Sequence, residues 1–336
     1  MSRTPTLEDV ATAAGVSTAT VSRCLNSPDK VVEGTRRKVM EAVNALGYAP
    51  NFNARALAAK RTSTIGAVIP TMENAVFAEG IQAFQSVLQA QDFMLLIASS
   101  GYDPDVEAEA ARTLAARGAD GILLIGFDRN PEVYDFLDTQ GIPALVSWAY
   151  DPTGKVPSVG FDNVAAMKSL AQHALALGHR RVGVISAFQS GNDRARGRVA
   201  GVQAALSDAG LPPAVVVETA YGMKEGADAF RRLRTEVPDA TLVICGNDVL
   251  AMGAIRQAQS LGLNVPNDIS ITGFDDLGLA QWIDPALTTV RVPHRAMGEA
   301  AAHALLAQLA KEPVESRLLP TELRIRGSLA SPANGR

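Results

Sequence analysis

Two sets of residues in this chain have the types and spacing to do chemistry. The first lies between Thr18 and Arg23: on a helix, Thr18, Ala19, Ser22 and Arg23 share one face, small groups around a single long planar donor. That surface suits the major groove of a DNA duplex, where a guanidinium pairs with guanine O6 and N7 and the methyls of Thr and Ala meet thymine. The plain alternative is a helical hairpin with a solvated face. The second set is dispersed. Glu73-Asn74, Trp148, Asp162-Asn163, Arg194 with Arg196 and Arg198, Asn247-Asp248 and Asp275-Asp276 fall at or near the ends of short apolar runs. Arg, Asn and Asp give paired hydrogen bonds to adjacent hydroxyls, and an aromatic face from Trp148 or Tyr221 covers the C–H face of a sugar; converging on one cleft, they would hold a polyhydroxylated ligand. The crowding of Arg194, Arg196 and Arg198 extends that expectation to a sugar acid, an aldonate such as gluconate. The bland readings of the same positions are Asp248 and Asp276 as helix caps, Asp162 as a spacer and Trp148 as a packed core residue.

The first set needs two short helices to hold it. Thr6-Leu7-Glu8-Asp9 fits a capping box, so a helix is predicted to start at Leu7, with Leu7, Val10, Ala11 and Ala14 on one face. Gly15 supplies the positive φ of a sharp turn, Val16 plugs between the helices, and Ser17 caps a second helix from Thr18 to Leu25 whose inner face is Val21 and Leu25. Two helices joined by a short Gly-containing turn form a helix-turn-helix. A third helix is predicted with Thr35 as its cap, Val39, Val43 and Leu46 inward and Gly47 as its stop before Pro50. Arg36, Arg37 and Lys38 then crowd a first turn whose dipole disfavours cations, a conflict a phosphate would resolve; the plain alternative is a tolerated surface charge cluster.

Charge follows the same division. Residues 1–61 hold nine Lys/Arg (Arg3, Arg23, Lys30, Arg36, Arg37, Lys38, Arg55, Lys60, Arg61) against five acids (Glu8, Asp9, Asp29, Glu33, Glu41), while the net charge of the whole is -4. A basic head on an acidic body is what a protein needs when only the head meets a polyanion. With 336 residues, 47% hydrophobic and 20% charged, the composition is that of a folded chain of two or three units. No apolar stretch approaches the ~20 residues of a membrane span, and no leading apolar segment follows Met1, so the expected address is the cytoplasm. Cys24 and Cys245 are too far apart in sequence for a CxxC site and read as small buried hydrophobes. No GxGxxG after a strand, P-loop, GxSxG or HExxH occurs, and His173, His179, His294 and His303 are scattered. We expect no catalytic residue, no metal and no cofactor.

From Thr64 onward, short β-rich runs alternate with helical patterns: 64–69, 93–97, 121–125, 144–146, 181–185, 215–217, 241–245 and 269–272. Alternation of this kind specifies parallel sheets with helices on both faces, and so many strands call for two of them, with ligands at the carboxyl ends of the strands.

Thr6-Leu-Glu-Asp-Val-Ala, Ala14-Gly-Val-Ser-Thr-Ala-Thr-Val-Ser-Arg-Cys-Leu-Asn26, Thr35-Arg36 and Leu46-Gly-Tyr-Ala-Pro-Asn51 together make the chain resemble the lactose-repressor (LacI) family of bacterial transcription regulators, a likeness that continues through essentially its whole length. The resemblance implies a helix-turn-helix DNA-binding headpiece over 1–50, a hinge over 51–61 and an α/β bilobal core like that of periplasmic binding proteins over 62–330, built on two doubly wound parallel sheets. The first lobe would take about 62–161 plus 292–320 and the second about 162–291 plus 321–330. By the same resemblance Thr18, Ala19 and Arg23 face bases, Thr6, Ser17, Thr20 and Ser22 hold the backbone, and Asn26 and Tyr48 sit near phosphates. Asn51 opens the hinge, Leu57 enters the minor groove and Ala54 lies beside it. Asn74, Phe77, Arg198, Asn247 and Asp275 would touch an effector, with Trp148, Asp162 and Tyr221 often joining, and Arg194 enters from the arginine cluster. The expected protein is a homodimer bound to double-stranded operator DNA, a repressor released by a small carbohydrate or sugar acid. A co-repressor-dependent regulator is the alternative within the family, and a solute-binding protein without specific DNA binding the alternative outside it.

Overall fold

The computed structural model describes residues 4–49, 61–73 and 75–333, with the backbone alone of Asn26. The chain divides into two compact units, Met1–Thr62 and Ser63–Arg336.

The smaller unit is built from local signals. Helix α1 (Leu7–Ala14) opens on the capping box: Thr6 Oγ1 accepts from Asp9 N at 3.3 Å and Asp9 Oδ2 accepts from Thr6 N at 2.7 Å. Gly15 ends it at φ 66°, and Ser17, whose Oγ accepts from Thr20 N at 3.2 Å, starts α2 (Thr18–Asn26). Val10, Val21 and Val39 are fully buried where these helices meet α3 (Glu33–Leu46), with Ala11, Cys24, Ala42 and Val43 around them. Helix α3 begins three residues before the expected start: Val32, not Thr35, is its cap residue and Glu33 opens the first turn. Arg36, Arg37 and Lys38 therefore lie beyond the turn where the dipole is strongest, which removes most of the conflict read from the sequence.

In the larger unit β1 (Thr64–Ile69), α4 (Ala75–Gln89), β2 (Met94–Ser99), α5 (Pro104–Ala116), β3 (Gly121–Ile125), α6 (Glu132–Thr139), β4 (Ala144–Ser147) and β5 (Ser158–Gly160) come first. Then α7 (Asn163–Ala176), β6 (Val182–Ala187), α8 (Asp193–Asp208), β7 (Val215–Thr219), α9 (Met223–Glu236), β8 (Leu242–Cys245), α10 (Asp248–Ser260) and β9 (Ser270–Thr272) continue the alternation. The chain closes with β10 (Thr289–Arg291), α11 (His294–Leu309), β11 (Arg317–Leu318) and β12 (Glu322–Arg324).

Six strands form one parallel sheet in the order β11-β5-β4-β3-β1-β2, and four form a second in the order β7-β6-β8-β9. Strands β1, β3, β6 and β8 are buried along their whole length, which is why their sequences read as unbroken apolar runs. A separate antiparallel ribbon pairs β10 with β12. That ribbon, β5 and β11 were not among the expected strands, because two or three residues are too few to carry a period. Between the sheets the chain crosses three times: from β5 into α7, from β9 through β10 into α11, and from β11 through β12 to a tail whose Ser328 carbonyl accepts from Ile271 N of β9 at 2.9 Å. Helix α11 packs on α4 and on the first sheet. Cys24 and Cys245 are free and buried, and His179 is a core residue, its ring bonded to Thr241 at 2.9 Å and to the Ala330 carbonyl at 2.8 Å.

Candidate functional site

On the smaller unit, α2 turns Val21 and Cys24 inward and leaves Thr18, Ala19 and Arg23 exposed, with Ser22 half-buried beside them. Ser17 and Thr20, whose hydroxyls lie 2.9 Å apart, flank the start of this face. The Thr6 hydroxyl is committed to Asp9 at 2.7 Å, and Tyr48 is half-buried against the unit's core. Asn51, Ala54 and Leu57 lie outside the described residues, as does the Asn26 side chain.

On the larger unit the loops after the strands of the two sheets face each other. Thr71, Glu73 and Tyr102 from the first sheet and Phe188, Asn192 and Tyr221 from the second line a cavity of about 540 Å³. The rings of Tyr102 and Tyr221 stand 5.8 Å apart across it. Burial, reinforced by Tyr221, raises the Tyr102 hydroxyl well above the usual phenol range, so Tyr102 remains a hydrogen-bond donor. Of the residues expected at an effector, Tyr221 reaches this wall; Asn74 lies outside the described residues.

Deeper in, Arg198 on α8 is the hub. Its Nε donates to Asn163 Oδ1 at 3.0 Å, its Nη1 to the Gly246 carbonyl at 2.7 Å, Asp275 Oδ1 lies 3.7 Å from Nη2, and the guanidinium covers the Phe274 ring at 4.0 Å. Asn163 also donates to the Trp148 carbonyl at 3.2 Å, so one amide ties the end of β4 to Arg198. Burial pushes the Asp275 carboxyl up to about 7 even with Arg198 pulling it down. Asp248 goes up to about 8 through burial and the nearby Asp275, against hydrogen bonds from Thr289 Oγ1 at 2.5 Å and Leu277 N at 2.7 Å. Asp248 thus braces the ribbon, and Asp276 pairs with Arg326 at 2.6 Å. Asn247 caps α10 by accepting from Leu250 N at 2.9 Å. Phe77 and Trp148 are buried together, ring centroids 5.4 Å apart, with the His294 ring 6.4 Å from the indole.

Two expected cleft residues do other work. Asp162 is exposed and caps α7, accepting from Ala165 N at 2.9 Å. Arg194 is buried, donating to the Ile125 carbonyl at 3.1 Å and to Asp193 Oδ1 at 2.8 Å, while Asp193 Oδ2 accepts from Phe127 N at 2.8 Å. Gly126 makes that approach feasible: a Cβ there would stand 1.7 Å from Arg194 Nη1, and its φ is +70°. Arg196 grips Asp128 with both guanidinium nitrogens, one at 2.6 Å. The arginine cluster therefore splits, two members fastening α8 to the end of β3 and one, Arg198, buried against Asn163, the Gly246 carbonyl and Asp275. Tyr102 and His294 were not expected at this site from the sequence. Asn163 was expected there beside Asp162, whereas His294 follows a strand too short to announce itself. Among the described residues no group of three or more His, Cys, Asp or Glu is placed to hold a metal, and no helix is long and apolar enough to cross a membrane.

Residues 62–326 match the family described as periplasmic binding proteins and sugar binding domain of LacI family, and residues 6–51 match the bacterial regulatory proteins, lacI family. The HTH-type transcriptional regulator GntR of Escherichia coli (strain K12) is 34% identical over 316 residues, 94% of this chain and 95% of that protein. A LacI-family transcriptional regulator from Silicibacter pomeroyi has a solved structure with TM-score 0.89 at 26% identity, over 97% of this chain and 99% of that one. The lac repressor dimer bound to operator and the anti-inducer ONPF gives TM-score 0.87 at 26% identity, over 98% and 100%.

Proposed function

The chain belongs to the lacI family of bacterial regulatory proteins, and on that premise we propose that it is a homodimeric repressor released from a pseudo-palindromic operator when a small carbohydrate or sugar acid occupies the cleft. As a family member it is a DNA-binding transcriptional regulator with a helix-turn-helix and a ligand-binding core. The observation that carries the finer reading is one chain holding both an exposed Thr18-Ala19-Arg23 helix face and, in the larger unit, a cavity lined by Tyr102, Asn192 and Tyr221 with a buried Arg198–Asp275 pair in the same unit. The first is suited to base edges and the second to vicinal hydroxyls.

Two copies related by a two-fold axis would set two such helices in successive major grooves, which makes the operator a near-palindrome. The lac repressor is a dimer on its operator, which supports the same arrangement here. Thr6, Ser17, Thr20, Ser22, Asn26 and Tyr48 would position the backbone, and Asn51, Ala54 and Leu57 would form a hinge whose leucine wedges the minor groove. Effector binding would shift the cleft, and a coupling of about 1–3 kcal/mol changes operator affinity roughly 5- to 150-fold. Its relatives are regulators rather than enzymes, and we place it with them as a non-catalytic cytoplasmic protein. Gel shift on a pseudo-palindromic duplex with and without a carbohydrate panel tests this. Selective retardation, relieved by one panel member, is expected; sequence-indifferent retardation at every salt concentration would make the chain a solute-binding protein instead.

A further inference from the structure

Two of the three chain crossings leave β5 and β11, at one edge of the first sheet. Strand β3 stands two places further in, and there the sheets are tied again by side chains alone. Arg194 lies on α8, a helix packed on α7 and on β6 of the second sheet, yet its Nη1 donates to the Ile125 carbonyl of β3 at 3.1 Å. Beside it Asp193 Oδ2 accepts from Phe127 N at 2.8 Å, and Arg196 holds Asp128 with both guanidinium nitrogens, one at 2.6 Å.

The receiving side is shaped for this tie. Arg194 closes a small hollow lined by Ser100, Asp103, Glu107 and Asp128, so its cation faces three carboxylates. Burial raises the Glu107 carboxyl, and Arg129 and Arg194 pull it back down. The free space is about 10 Å³, no more than one water, so the two sides meet without a gap. A glycine on each side makes that approach feasible. At Gly126, φ +70°, a Cβ would stand 1.7 Å from Arg194 Nη1, and at Gly191, φ +67°, one would stand 2.8 Å from the Tyr102 carbonyl oxygen. From beneath, Arg129 donates to the same Ile125 carbonyl at 3.4 Å and lies 3.3 Å from Glu107, so the loop that is gripped is itself braced.

We propose that Asp193, Arg194 and Arg196 are positioning residues that latch the two sheets together, and that this latch sets how readily the sheets part. None of the three lines the 540 Å³ cavity. The latch therefore acts on any ligand without touching it: apparent affinity scales with the fraction of molecules in the binding-competent arrangement, and the latch fixes that fraction. Its arms differ in kind. Arg194 is buried, whereas the Arg196–Asp128 pair is partly in water and open to screening by salt.

Electron–electron distance measurement on the full-length protein tests this with no ligand present. Spin labels go on Asp105→Cys in α5 and Lys224→Cys in α9, exposed positions beyond β2 and β7, the outer strands of the two sheets; Cys24 and Cys245 are buried. Labelled chains are diluted into unlabelled ones, so each distance lies within one chain. Arg194→Ala/Arg196→Gln is expected to raise the ratio of parted to latched molecules about tenfold or more, seen as a second, longer distance. Arg196→Gln alone should raise it a few-fold with the urea midpoint unchanged. In wild type 1 M NaCl, with a screening length of about 3 Å, should imitate Arg196→Gln and add little in that variant. Should the double variant melt early, Arg196→Gln and the salt series decide alone. One unaltered distance in both variants and at 1 M NaCl overturns the proposal. A longer distance confined to the double variant, with a urea midpoint lowered alongside it, also overturns it, because Arg194 would then serve packing only.

Discussion

The exposed face of α2 and the floor of the cleft solve opposite problems. Thr18, Ala19 and Arg23 project into water from one nine-residue helix, held by caps only three residues away, Thr6 to Asp9 and Ser17 to Thr20. Arg198, Asn163 and Asp275 come from distant stretches, are almost wholly buried, and are held against one another before any ligand arrives, although Asp275 Oδ1 accepts no hydrogen bond. A surface that meets a large polyanion can leave its charges hydrated, since the partner supplies the contacts on arrival. A pocket for a small molecule holds charges out of water at all times, and each must have an internal counterpart. Substitutions on the helix face should therefore act independently, and those in the floor should propagate.

The sharpest way to break that contrast is Arg198→Ala. Removing one side of a buried charge pair costs about 3–5 kcal/mol, so the core should unfold at much lower urea and lose its response to carbohydrate while the isolated head signal stays unchanged. Urea midpoints within experimental scatter of wild type would mean the floor is not a network. Next comes pH. Both Asp275 and Asp248 sit above the 3.8 of an unfolded aspartate, so the folded core retains protons the unfolded chain releases. Their contribution to stability is complete below about pH 4 and is lost as pH rises through about 7 and 8, and Asp248→Asn should flatten the fall between pH 5 and 8.5. A wild-type core whose urea midpoint climbs over that interval contradicts the assignment. On the head, Arg23→Ala should cost about 1–3 kcal/mol on the cognate operator and blur discrimination at one base pair, with no change in core melting. Thr6→Ala should cost the head about 1 kcal/mol, seen as faster amide exchange in α1. Smallest is Asp128→Asn: its partner Arg196 is half exposed, so an effect of about 0–1 kcal/mol on core unfolding is expected, and a larger one would make the α8 clasp part of the network.

The same contrast governs how much of each region could be read from residues alone. Caps, the Gly15 turn and the inward stripe of α1 and α2 are decided within a few positions, so those elements emerged where expected; α3 did not, because Val32 offers no capping oxygen and Thr35 does. Long buried strands were legible as apolar runs, but β10 to β12 are held by partners tens of residues away. In the cleft, Arg198 was visible as a charge in an awkward place. That Arg194 and Arg196 turn toward β3 was not, since it depends on Gly126 and Asp128, some seventy residues upstream. Nor could adjacency in sequence reveal that His294 backs onto Trp148.

The three passages of chain between the two sheets also limit what the core can do when a ligand arrives. Two plates joined by a single cord can swivel; joined by three cords side by side they resist torsion and are left chiefly with one easy movement, like the covers of a book about its spine. A ligand that moved the sheets would then send its signal as an angle along that single coordinate.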